Sequence, residues 1–123
     1  MFIFDYLNKS SNKVSPMAGR KSSHRGIEFK DNELDEVITI FKTLSDPSRV
    51  RILSALSKQE KLSVGDIADR LDMEISAVSH QLSTLKKLGF VKNKRVGQHI
   101  FYSLDDECIT DIMKRARDHV VGS

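Results

Sequence analysis

Residues 75–103 hold five basic side chains, Lys86, Lys87, Lys92, Lys94 and Arg95, and no carboxylate. A surface that approaches phosphates needs such a stretch, because each acid within it would repel the polyanion. Its first half adds small hydrogen-bonding groups: the hydroxyls of Ser76, Ser79 and Ser83, the imidazole of His80 and an amide. These are groups that can address base edges in a major groove. Lys87, Lys92, Lys94, Arg95 and Gln98 are suited to the flanking backbone or minor groove. The charge is segregated along the chain. Residues 1–30 carry six basic residues against Asp5 and Glu28, a net +4, and 75–103 carry +5, so a total of only +3 leaves −6 on the remainder. A solvated face is the competing reading of any charge run.

Other chemistry is sparse. Cys108 is the one cysteine, so no intramolecular disulfide can form. The opening FIFDYL is too short and too acidic for the apolar centre of a signal peptide, and a reducing cytoplasm is expected. With 39% apolar and 30% charged residues and no long apolar run, the chain does not read as membrane-spanning. No paired carboxylates, glycine-rich phosphate loop or nucleophile motif calls for catalysis, so no enzyme is expected.

The elements that must position these residues are punctuated locally. Residues 8–30 lack helical or strand period and read as part of a flexible basic arm over 1–30, in which 1–16 become an extension if Met17 is the true start. A folded unit is expected over 31–123. Asp31 or Asn32 can cap a helix whose stripe is Leu34, Val37, Ile38, Phe41 and Leu44, ending near Ser45. Asp46-Pro47 predicts a second helix with Val50, Leu53 and Leu56 inward and Ile52 beside them. Ser63-x-x-Asp66 resembles a capping box and opens a short third helix with Val64, Ile67, Ala68 and Leu71 on its inner face. A fourth helix, about Glu74 to Lys87, turns Ile75, Val78, Leu82 and Leu85 inward and leaves the polar set on other faces. Gly89 is placed as a C-terminal cap. Strands over 90–94 and 99–103 then flank Arg95-Val96-Gly97-Gln98 as a hairpin. Asp105 can cap a last helix to about Val120 with Ile109, Ile112, Met113, Ala116 and Val120 as its stripe.

Two short helices in tandem, a tight turn and then a basic hairpin describe a winged helix-turn-helix, mainly α with a small β-hairpin. The stripes Leu34–Leu44 and Ile109–Val120 exceed what a core of this size readily covers, which predicts a dimer through the first and last helices. Two-fold symmetry predicts a palindromic duplex operator. A winged helix that binds a protein instead is the alternative of a different class, and salt-dependent duplex binding separates the two.

LSDPSRVRILSAL, SVGDIADRL and SAVSHQLSTLKKLGFVKNKRVGQHIFYSL together resemble the ArsR/SmtB family of metal-responsive repressors over roughly residues 31–121. The resemblance implies a homodimeric repressor released from its operator by an inducer bound at or near the dimer interface. It also implies two ligand sets to look for. The cysteine set on the helix before the reading helix is absent, since Val64 and Gly65 stand at its positions, and arsenic sensing by a cysteine pair goes with it. The set on the last helix, similar to that of cadmium and zinc sensors, falls on Asp106, Cys108, His119 and Gly122, of which the glycine offers no ligand.

Cys108 and His119 lie eleven residues apart, nearly on one helical face but about 16 Å apart along the axis, so one helix cannot close both on one ion. Antiparallel last helices across a dimer could bring Asp106 and Cys108 of one chain to His119 of the other. Carboxylate, thiolate and imidazole suit Zn²⁺ or Cd²⁺ as inducer. A thiol or redox response at Cys108, or a repressor without metal, are the other uses of the same fold. His24 lies in the arm, and His80 and His99 belong to the DNA-facing elements.

Overall fold

The computed structural model describes residues 26–122. Most of the expected arm, the alternative start at Met17 and His24 lie outside the described residues. By contacts the chain divides into Met1–Lys30 and Asp31–Ser123, and the elements below all belong to the second unit.

Helix α1 spans Asp31–Thr43. Asp31 begins the helix instead of capping it, so Asp31 and Glu33 act as first-turn acids that favour the positive end of the helix dipole. Asp46 caps α2 (Pro47–Lys58): its Oδ1 accepts from the N–H of Ser48 at 2.8 Å and of Arg49 at 3.3 Å. Helix α2 is central, touching the sheet and three other helices, and its buried arc is correspondingly wide. Ile52, expected at the edge, is fully buried with Leu53, whereas Val50 is only partly covered.

A two-residue strand, β1 (Leu62–Ser63), precedes α3 (Val64–Leu71). The capping box forms in both directions, Asp66 N–H donating to Ser63 Oγ at 3.1 Å and Ser63 N–H to Asp66 Oδ2 at 3.2 Å. Asp72 then adopts a left-handed conformation with φ 54°, and Met73 N–H donates to the Ala68 carbonyl at 3.0 Å. This closes α3 and turns the chain within three residues into α4 (Ile75–Lys87). Gly89 and a Phe90 N–H bond to the Leu85 carbonyl at 3.0 Å end α4.

The wing is longer and tighter than expected: β2 (Val91–Val96) and β3 (His99–Leu104) pair antiparallel up to Val96↔His99. Arg95 and Val96 are therefore strand residues, and the turn is Gly97-Gln98 alone. Gly97 has φ +64°, which a two-residue hairpin turn requires and an L side chain resists. Strand β1 adds to the other edge of β3 through Leu62↔Tyr102 and Ser63↔Phe101, giving a three-stranded sheet in the order β1-β3-β2 where only a hairpin was expected. The last helix, α5, spans Cys108–Val121. Asp106, not Asp105, meets its first turn by accepting from Cys108 N–H at 2.9 Å.

The core is Ile52, Leu53, Ile67, Val78, Leu82 and Leu85 with Leu62, Val91, Tyr102 and Ile109 around them. Its two buried polar residues are satisfied locally, Thr43 by the Thr39 carbonyl and Thr110 by that of Glu107. Ile75, expected inward, is 62% exposed. It opens α4, and its Cβ tilts toward the helix N-terminus, past the edge of the core. Leu34, Ile38, Phe41 and Val120 are exposed too, and Thr43 is the one buried residue of α1. No helix among the described residues is long and apolar enough to cross a membrane.

Candidate nucleic-acid interface

Helix α4 is anchored by Val78, Leu82 and Leu85, each fully buried. At 100° per residue the opposite side carries Ser76, His80, Ser83 and Lys87, an i, i+4, i+7, i+11 row, with Ser79 on its flank. All five are exposed. The α3–α4 turn fixes the angle at which this row is presented. Two polar residues of α4 are spoken for: Thr84 donates its hydroxyl to the His80 carbonyl at 3.2 Å, and Gln81 Oε1 accepts from Arg49 Nε at 3.0 Å. The amide expected among the reading groups is thus tied to α2, whose Arg49 also lies 3.8 Å from the Asp46 carboxylate.

The strand register sorts the wing into two faces. Lys92, Lys94 and Val96 stand opposite Ser103, Phe101 and His99 on one face, while Arg95 stands opposite Ile100 on the other. Lys92, Lys94, Arg95 and Gln98 are all exposed. Lys61, which sequence reasoning left in the acidic body, joins the first face: its Nζ lies 4.9 Å above the Phe101 ring, and the His99 ring is 6.2 Å from that ring. Pairing of β1 with β3 brings it there, a contact between segments some forty residues apart. A carboxylate also stands nearby. Asp66 is held below the usual carboxylate range, chiefly by the Ser63 N–H and then by the Ser63 hydroxyl, with Arg70 and His99 adding attraction.

The last helix keeps its potential ligands apart within one chain. Cys108 is a free, exposed thiol at the start of α5, beside the Asp106 carboxylate that its N–H engages. His119 is exposed in the last turn, about 16 Å further along the axis. Gly122 has φ +80°, and its N–H donates to the carbonyls of Asp118 and His119 at 3.1 and 3.3 Å. A residue with a side chain would be strained there, so the glycine at the fourth family position serves as the helix stop. Among the described residues no three His, Cys, Asp or Glu side chains converge on one point.

Residues 46–93 match the family model described as "Bacterial regulatory protein, arsR family". The chain is 39% identical over 92 residues to the transcriptional repressor SmtB homolog of Synechocystis, covering 75% of this chain and 69% of that protein. It is likewise 39% identical over 90 residues to the cadmium resistance transcriptional regulatory protein CadC homolog of Staphylococcus aureus, covering 73% and 74%. Among solved structures, that of the AntR antimony-specific transcriptional repressor superposes with a TM-score of 0.74 at 28% identity, over 85% of this chain and 95% of that one. A homodimeric winged helix-turn-helix DNA-binding domain from Mycobacterium bovis gives 0.67 at 26% identity, over 87% and 96%.

Proposed function

The chain belongs to the arsR family of bacterial regulatory proteins, whose members are DNA-binding transcriptional regulators and not enzymes, and from that premise we propose a homodimeric cytoplasmic repressor released from DNA by a metal ion. Ser76, Ser79, His80 and Ser83 meet base edges in the major groove, and Lys87, Lys92, Lys94, Arg95 and Gln98 meet the backbone. Residues 31–123 are the regulatory unit, and 1–30 add a basic arm. The observation that carries this reading is the exposed row of α4 directly opposite the fully buried Val78, Leu82 and Leu85, with the acid-free wing beside it. The bare apolar residues of α1 and the far half of α5 support a dimer through those helices, and its two-fold axis calls for a palindromic operator.

For the inducer, the proposed ligands are Asp106 and Cys108 of one chain with His119 of the partner subunit. The donor set fits Zn²⁺ or Cd²⁺. The Cys108 thiol is free and exposed, and Asp106 Oδ1 accepts from the Cys108 backbone N–H, which leaves its other oxygen for an ion. The ion would supply a fixed link between two chains. The residues' own task is to present deprotonated sulfur, carboxylate and neutral imidazole at two helix ends.

Anisotropy of a labelled operator, selected from random duplex, tests both halves. Saturating Zn²⁺ or Cd²⁺ should weaken binding by a coupling of about 1–3 kcal/mol, roughly 5- to 150-fold. Cys108→Ser and His119→Ala should blunt that response while leaving metal-free affinity intact. Unchanged affinity under metal would retire the metal part. Failure to bind any duplex at low salt would retire the DNA reading in favour of a protein-interaction module.

A further inference from the structure

A cavity of about 430 Å³ opens between α2 and α3, remote in sequence from the wing and from α5. Val50 and Leu71 provide apolar wall, Ser54 a hydroxyl, and Arg51, Lys58 and Arg70 three cations, with no carboxylate among the lining residues. Arg51 Nη2 donates to the Leu71 carbonyl at 2.8 Å. That bond holds the guanidinium at the wall while using one of its five N–H donors. The carboxylate that attracts Arg70 is Asp66, one turn back on α3 and engaged by Ser63. Lys58 ends α2 and makes no ion pair among the described residues.

We propose that this groove binds a small amphipathic organic anion, a carboxylate on an apolar body. The volume lies in the range of small-molecule sites, about 300–1,000 Å³. The lining selects the ligand class. A bare inorganic anion leaves Val50, Ala55 and Leu71 without a partner. A neutral apolar molecule would desolvate three cations with nothing to compensate them. An anionic head against Arg51, Lys58 and Arg70, with its tail along Val50 and Leu71, satisfies both halves. Nothing in this proposal depends on Cys108, His119 or DNA contact.

The test uses octanoate as probe on the full-length, DNA-free protein, followed by backbone amide shifts in nuclear magnetic resonance. Saturable shifts are expected at Val50, Ser54, Ala55 and Leu71, with 1-octanol and inorganic sulfate binding at least about tenfold more weakly, the factor of roughly one charge-assisted hydrogen bond. The double variant Lys58→Gln with Arg70→Gln should lose octanoate affinity by a similar factor. Both side chains are exposed, so the fold is kept, whereas Arg51 is left alone because it closes the end of α3. Equal binding of octanol or sulfate, undiminished binding by the double variant, or absence of saturation at millimolar octanoate would overturn the proposal. So would strongest shifts on Leu34–Phe41 and Ala116–Val120, which mean detergent-like adsorption on the bare helix faces.

Discussion

Lys94 offers a direct test of the phosphate contacts, because it is exposed on β2 opposite Phe101 and Lys94→Gln removes a charge without touching the core. With Lys87, Lys92, Lys94 and Arg95 each neutralising one phosphate, a two-fold dimer makes about eight contacts, and the logarithm of affinity falls with that of salt at a slope of about −7. Between 50 and 200 mM salt this amounts to roughly a 10⁴-fold loss. Lys94→Gln removes about two contacts per dimer, so the slope should flatten to about −5. Anisotropy of the selected operator across that salt range measures both slopes. Because phosphates carry no sequence information, the ranking of operator variants should not change. A slope that stays at the parent value, or a loss confined to one base pair, would refute the assignment of Lys94 to the backbone.

Three further outcomes are expected. Leu82→Ala, at a fully buried site in the middle of α4, should cost about 2–5 kcal/mol in urea unfolding, whereas Ser83→Ala on the exposed side should stay within about 0.5 kcal/mol yet weaken operator binding. Asp66 has a folded-state pKa below its unfolded value, so its ionised form stabilises the fold. The stability gap between the parent and Asp66→Asn should hold at neutral pH and close as pH falls below the usual carboxylate value of about 4, and a gap indifferent to pH would show that the capping box does not depend on charge. Phe41→Glu, at a site 55% exposed on α1, should convert the proposed dimer to a monomer in sedimentation while leaving helix content unchanged. A persisting dimer would place the interface elsewhere.

Most elements between Asp46 and Leu104 were legible because their signals are local. Asp46-Pro47, Ser63-x-x-Asp66 and Gly89 each decide a helix end from side chains within a few residues. Strand β1 carries no such signal: two residues have no period, and pairing with Tyr102 and Phe101 depends on a segment some forty positions away. The same separation hid Lys61 from the charge count of the wing, and one of 32 positions hid Arg49, which donates to the amide oxygen of Gln81. Periodicity also fails at helix ends, where a position on the inward face has no core beneath it, as Ile75 illustrates. The nine residues assigned to DNA are all exposed on α4 and the wing. Exposure follows from pattern; which phosphate or base each meets depends on a partner whose shape the chain does not encode locally.

Helix α5 sets the terms on which a metal could act. Its first two turns pack on the core, with Ile109 at 1% exposure and Met113 packed against the same cluster, while Val120 near its other end is 81% exposed. The 14 residues of this helix span about 21 Å, so a displacement at one end is carried to the other by a rigid rod. On the proposed reading, a link from Asp106 and Cys108 to the partner's His119 fixes the angle between two such rods. Each rod is rooted beside α2, which in turn packs on α4. Two reading helices serve one operator only when their spacing matches about one turn of duplex, near 34 Å. A change in the angle between the rods alters that spacing and so bears on DNA binding. Release needs only a differential affinity of about 1–3 kcal/mol between the two arrangements, a smaller demand than tight capture. A three-ligand site with Gly122 as helix stop can meet that demand through geometry.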